Sequence, residues 1–176
     1  MGKKIIIIIG IILLVLIGTV STLLYFALAM SNEKQEVEKP AVGNSTLSID
    51  ESHITFLLNE IGAYQLHSSV TGKKPIIEVW ADDEKFSSDV SGGKITTTRN
   101  LGNSPDIRIK TSKKEVVDAL LSQNVTEYAK NSVSAGKTNL EIVAGYTELF
   151  TKGYLKIYTE LTGKSFTGSV VRMFRR

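Results

Sequence analysis

The apolar positions of this chain fall into two regimes. From Ile5 to Met30 they are almost continuous. The run IIIIIGIILLVLIGTVSTLLYFALAM has no charged residue, and 21 of its 26 positions are apolar or aromatic. A helix rising about 1.5 Å per residue would extend such a run to about 39 Å, longer than the ~30 Å hydrocarbon layer of a bilayer. The pattern predicts one transmembrane helix, with Gly10 and Gly18 tolerated because lipid leaves the backbone no other hydrogen-bond partners. A secretory signal has a much shorter apolar core of about 7–15 residues, so an uncleaved anchor is the expectation. Lys3 and Lys4 abut the run, whereas Lys34 and Lys39 are interspersed with Glu33, Glu36 and Glu38. That bias predicts the N-terminus inside and the remainder outside.

Beyond position 30 the apolar residues become periodic. Residues 31–47 are polar and read as a mobile tether, with folding expected from Ser48. Ile54, Leu57, Leu58 and Ile61 recur at helical spacing within 51–66, and Asp50 stands where an N-cap belongs. Four strand-like runs follow at 75–81, 86–90, 95–99 and 106–110. Asp82–Lys85 and Ser91-Gly92-Gly93-Lys94 are the turns between the first three. In the fourth, Ile107 and Ile109 alternate with polar residues, predicting one covered and one wet face.

Ser112-Lys113-Lys114-Glu115 has the form of a capping box and opens a helix with Val116, Val117, Leu120 and Leu121 as its apolar stripe. A short polar helix over 126–131 and a fifth strand over 138–144 come next. Tyr146, Leu149, Phe150, Ile157, Tyr158 and Leu161 then keep helical spacing, interrupted at Gly153. The order predicts an α+β domain: a mainly antiparallel five-stranded sheet covered by helices on one face, preceded by one transmembrane helix. The expected organisation is an anchor at 1–30, a polar linker at 31–47, the α+β domain at 48–163 and a basic tail at 164–176.

Charge changes the picture only slightly. The whole chain of 176 residues carries 21 basic and 18 acidic residues, a net charge of +3. Two of the basic residues precede the apolar run, so residues 31–176 hold 19 basic and 18 acidic residues. That balance gives no basic stripe for nucleic acid. The absence of cysteine removes disulfides, thiolate metal sites and cysteine nucleophiles. In the tail, Arg172, Arg175 and Arg176 alternate with apolar residues and are placed to touch anionic lipid headgroups.

The order of elements, and the stretch Asp106-Ile-Arg-Ile-Lys-Thr-Ser-Lys-Lys-Glu-Val-Val-Asp-Ala-Leu-Leu121, resemble the sterol carrier protein type 2 family. Gly136-Lys137, the alternating run Leu140–Ala144, Gly145 and the closing helical run Tyr146–Leu161 are similar to the segment that follows in that family. The resemblance covers about 75–161. Departures are the longer Gly136–Gly145 spacing and Tyr146 where a polar residue is often found. The resemblance implies an apolar tunnel between sheet and helices that accepts a lipid, and no catalysis.

Candidate chemistry outside that resemblance is thin. Ala135-Gly136-Lys137-Thr138 ends like a phosphate-binding loop, but Asn131 stands where the motif requires glycine. Asp50, Ser52 and His53 share one helical turn and cannot form a nucleophile–base–acid relay, which leaves a helix cap with a surface histidine. His53 and His67 are the only histidines, with no partner ligands nameable for zinc. Asp82-Asp83-Glu84 lacks the alternating oxygens and glycine of a calcium loop.

The sequence therefore predicts a non-enzymatic, single-pass protein of the cell membrane that binds a lipid or other apolar ligand, with no cofactor and no metal. Expected pocket walls are Trp80, Val116, Leu120, Leu121, Ile142, Leu149, Phe150 and Ile157. The rival readings are an envelope structural or adhesion module with a fully packed core, and a tethered hydrolase using one of the two histidines.

Overall fold

The computed structural model describes residues 32–41, 48–102 and 104–164. The expected anchor, part of the expected linker and the tail arginines Arg172, Arg175 and Arg176 lie outside the described residues. Among the described residues, no helix is long and apolar enough to cross a membrane.

The elements are α1 (Glu51–Glu60), a 3-10 turn (Ala63–Gln65), β1 (Ile76–Ala81), β2 (Glu84–Ser91), β3 (Lys94–Thr98), β4 (Ile107–Thr111), α2 (Lys113–Leu121), α3 (Val125–Ser134), β5 (Asn139–Ile142), α4 (Tyr146–Thr151) and α5 (Tyr154–Thr162). Each starts for a local reason. The Asp50 carboxylate accepts from the Ser52 and His53 backbone N–H groups, and His53 Nδ1 lies 3.2 Å from the Asp50 backbone nitrogen and 2.7 Å from Asp50 Oδ1. This is a capping box with histidine in the place usually held by Glu or Gln. Ser112 caps α2 through the Glu115 N–H, and Asn124 caps α3 through the Glu127 N–H. Asp82-Asp83 and Gly92-Gly93 are two-residue hairpin loops. Asp82, Gly92 and Gly93 have φ of 54°, 56° and 80°, the left-handed geometry that suits the strand twist.

The first helix is shorter than its apolar spacing suggests. Gly62 has φ 91°, so the α-helix stops at Glu60 and the chain continues as a 3-10 turn. The last helical run is two helices, because Gly153 sits between them at φ 86°.

The sheet order is β3-β2-β1-β4-β5. β1–β2, β2–β3 and β4–β5 are antiparallel, and the central β1–β4 pair is parallel. The sheet is thus mixed and mostly antiparallel. The connection from β3 to β4 must cross back over the sheet, and Gly102 marks its passage. A Cβ there would stand 2.8 Å from Ser87 Oγ and 3.4 Å from Ile76 Cγ2.

Register keeps the two faces distinct. Val79 lies opposite Phe86 on one side and Ile109 on the other, and Val90 lies opposite Ile95. This face is apolar and buried, and it joins Ile54, Leu58, Val116, Leu120, Leu149 and Ile157 of the helices in one core. Each such side chain contributes about 1.5–3 kcal/mol when removed from water. The other face carries Glu78, Trp80, Lys85, Arg108, Lys110 and Glu141, side by side through the same pairings.

The stretch expected to be a mobile tether is docked over 32–37. The Asn32 amide donates to the carbonyls of Tyr64 and Leu66 at 3.0 and 3.1 Å. The Asn59 amide donates to the Gln35 carbonyl at 3.0 Å, Lys34 pairs with Glu60 at 2.7 Å, and Val37 packs against the core.

Candidate functional site

The apolar stripe of α1 does not close fully on the sheet. Between Ile54, Leu57, Leu58 and Ile61 of α1, Val79 and Ile109 of the sheet, Val116 and Ala119 of α2, and Val125 and Ala129 of α3 there remains a cleft of about 80 Å³. That is about half of the ~150 Å³ cavity that admits a benzene ring. The reason is the size of the facing residues: Ala119 and Ala129 are small where the neighbouring positions are long.

One end of the cleft is polar, formed by Thr111, Glu115, Tyr128, Ser132 and Thr138. Glu115 Oε2 accepts from the Tyr128 hydroxyl at 2.9 Å and the Ser132 hydroxyl at 2.8 Å. Thr138 Oγ1 lies 2.8 Å from Ser132 Oγ and 2.8 Å from Thr111 Oγ1. Lys137 Nζ approaches Glu115 Oε1 at 3.5 Å from the rim. Burial opposes ionisation of Glu115, but the Ser132 and Tyr128 hydroxyls and Lys137 outweigh it and hold the carboxyl below its usual range. Burial and the neighbouring Glu115 push the Tyr128 phenol up, so it remains a donor. The capping box expected at Ser112–Glu115 is therefore only half made. Ser112 caps the helix, while the Glu115 side chain turns into the cleft, where two hydroxyls satisfy it.

The expected pocket walls separate. Val116 lines the cleft. Leu120 is buried in the core without lining it. Leu121 is 65% exposed and Phe150 60% exposed, so neither is a wall. Each follows a buried neighbour, Leu120 or Leu149, and one residue turns a helix by about 100°, enough to leave the buried face. Phe150 instead stacks on Tyr146 with centroids 6.3 Å apart. Ile142, Leu149 and Ile157 meet, together with Ile107, Leu140 and Tyr154, around a second gap of only about 10 Å³. That is ordinary packing beside β5.

Trp80 is not a wall either. It follows Val79 in β1, and strand alternation puts it on the opposite face. There Lys85, Arg108 and Lys110 stand 4.3, 4.2 and 5.3 Å from the centre of its ring system. Arg108 also bonds Glu78 at 2.8 Å and Glu141 at 3.2 Å. The indole Nε1 is buried with no hydrogen-bond partner among the described residues.

The other sequence candidates are held by structural contacts. Asp82 Oδ2 accepts from the Lys113 N–H at 2.9 Å, and Asp83 and Glu84 pair with the Lys113 ammonium at 2.7 and 3.1 Å. His53 is only 7% exposed, against the expectation of a surface residue, because its ring folds back onto Asp50 as part of the cap. His67 is partly exposed, with Nδ1 3.2 Å from the Ser68 carbonyl. Of the loop-like motif, Thr138 belongs to the polar end of the cleft and Lys137 stands at its rim.

A second polar cluster escaped the sequence reading. Lys152 Nζ bonds Asp106 Oδ1 at 2.6 Å and Glu148 at 3.0 Å, while Asp106 Oδ2 accepts from the Tyr154 hydroxyl at 2.9 Å and the Ile76 N–H at 2.8 Å. The available signal was Asp106 at the head of an alternating strand and a lysine inside an apolar helical run.

No family model matches this chain, and no curated protein matches it. Among solved structures, it is similar to UbiJ-SCP2, a ubiquinone synthesis protein, at 8% identity and a TM-score of 0.32, over 44% of this chain and 65% of that one. It is also similar to a double mutant of the sec-alkyl sulfatase PisA1 at 13% identity and a TM-score of 0.30, over 50% of this chain and 13% of that one. The chain thus spans less than two thirds of the length of either. Both likenesses are distant, and the functional reading rests on the cleft.

Proposed function

We propose that the folded unit is a non-catalytic binding domain for a lipid or other apolar ligand. Residues 5–30 would hold it at the cell membrane, with the N-terminus inside and the folded unit outside. The observation that supports this is the cleft: an apolar lining contributed by three helices and the sheet, with a small polar group at one end to orient an occupant. At about 80 Å³ the space suits the end of an alkyl chain, and a longer ligand would part α1 from α2 and α3. Each methylene taken from water contributes about 0.8 kcal/mol, so a few carbons suffice for measurable binding. Arg172, Arg175 and Arg176 would add attraction to anionic headgroups of about 1 kcal/mol each near the surface.

The test is native mass spectrometry of the protein purified from cells, with lipid extraction and displacement of a fluorescent alkyl probe. Bound apolar material is expected in the wild type. Ala119→Leu should expel it, because the larger side chain fills the cleft, while the circular dichroism spectrum stays unchanged. Absence of both copurified lipid and displaceable probe would overturn the reading in favour of a structural or adhesion module. Protease treatment of intact cells tests the topology, and a folded unit protected from external protease would reverse it.

A further inference from the structure

The polar end of the cleft has a direction, which appears when each hydroxyl proton is followed. A serine, threonine or tyrosine hydroxyl has one proton to give. Tyr128 gives its proton to Glu115 Oε2 at 2.9 Å, with Asp118 farther away at 3.4 Å. Ser132 gives its proton to the same oxygen at 2.8 Å. Ser132 Oγ can then only accept from Thr138 at 2.8 Å, and Thr138 in turn can only accept from Thr111 at 2.8 Å. All four protons run toward Glu115. What remains for an occupant is lone pairs, on Thr111 Oγ1 and on Glu115 Oε1, whose contact with Lys137 at 3.5 Å is longer than a good hydrogen bond.

From this polarity we infer that the cleft selects apolar ligands whose polar end donates a hydrogen bond and carries no negative charge: a long-chain alcohol in preference to a fatty acid. The inference rests on the apolar-binding reading above and adds the ligand class. An alcohol supplies the proton that the chain of hydroxyls lacks. A fatty-acid carboxylate supplies acceptors to acceptors and sets a second negative charge beside the buried Glu115, and two carboxylates sharing one site do not both stay ionised. Lys137 is the donor at the rim. Its side chain is 61% exposed and already faces Glu115, so it lies in solvent rather than in the lining.

The test uses the full chain in lipid nanodiscs with labelled alanine and valine methyl groups, titrated at pH 8 with hexan-1-ol and with hexanoate, two soluble six-carbon probes. The methyls of Val116, Ala119, Val125 and Ala129 report occupancy. Hexan-1-ol is expected to bind at least about tenfold more tightly than hexanoate. Glu115→Gln, which removes the charge and offers an amide donor, should bring the two within about threefold. The wild-type ratio decides the question even if that variant does not fold. Lys137→Gln should leave hexanoate the weaker ligand. Hexanoate binding as tightly as hexan-1-ol to the wild type, or an unchanged ratio in a folded Glu115→Gln, would overturn the selectivity alone. If neither probe moves these methyls, the apolar-binding reading itself fails, and the selectivity with it.

Discussion

Replacing Lys152 with methionine tests how the sheet is joined to the C-terminal helices. Lys152 is 2% exposed and Asp106 1% exposed. Their contact at 2.6 Å is one of several made by Asp106. The Asp106 N–H donates to the Ile76 carbonyl at 2.8 Å, and its own carbonyl accepts from the N–H groups of Val143 and Ala144 at 3.0 and 2.9 Å. One residue thus ties the start of β1, the exit of β5 and the junction of α4 with α5. Lys152→Met keeps the volume of the side chain but leaves the Asp106 carboxylate buried with two neutral donors, the Tyr154 hydroxyl and the Ile76 N–H. Stranding one member of a buried pair costs about 3–5 kcal/mol. Against a typical domain stability of about 5–15 kcal/mol, that is from about a fifth of the total to all of it. The intact pair is worth less than this, because both ions were desolvated to form it. The double variant Asp106→Asn/Lys152→Met should therefore be less damaged than the sum of its parts, by about 1–3 kcal/mol. Urea unfolding of the unit from residue 32 onward, followed by circular dichroism, measures all four corners of the cycle. A single-variant loss below about 1 kcal/mol, or strict additivity in the double variant, would refute the reasoning.

Two further predictions address local features. Partial burial opposes ionisation of Asp50, but the Ser52 hydroxyl, the His53 N–H and the His53 ring outweigh it and lower its pKa to about 2. A depressed folded-state pKa contributes stability above the unfolded value and loses it as pH falls through the folded one. The advantage of wild type over Asp50→Asn should therefore be constant from neutral pH down to about 4 and vanish as the pH drops through about 2; an advantage independent of pH in acid denaturation would count against the cap geometry. Gly153→Ala places a side chain at φ 86°, with His67 Nε2 3.5 Å from the new Cβ. A thermal-unfolding loss of about 1–2 kcal/mol is expected, and an unchanged midpoint would show that the α4–α5 junction relaxes freely.

Much of the local architecture was legible along the chain because its causes are local. Asp50 and Ser112 cap helices through N–H groups two or three residues away. Gly92-Gly93 closes a hairpin by its own backbone angles, and Ile107 and Ile109 share a face because strands alternate. The five strands and their order along the chain follow from these signals. The shortened first helix had a local signal too, in Gly62, that apolar spacing overrode.

The candidate site was legible only in part, because adjacent apolar residues are equivalent in a pattern and not in a packed core. Of the eight expected walls, Val116 reaches the cleft, while Ile142, Leu149 and Ile157 close a separate, nearly filled gap. Whether a stripe of leucines leaves a space depends on the volumes facing it, such as Ala119 and Ala129, which come from two different helices.

By itself the sequence determined the apolar run at 5–30, the alternation and capping of each element, and the acid–base balance of the remainder. Tertiary structure alone decided the parallel pairing of β1 with β4, the turning of Glu115 from cap to cleft, and the salt bridge between Asp106 and Lys152 across 46 positions. The first set depends on neighbours within one or two turns of chain, which the order of residues specifies directly. The second depends on which groups are brought together after the loops close. A buried charge or a half-filled space acquires its energy only from partners the folded chain has placed beside it.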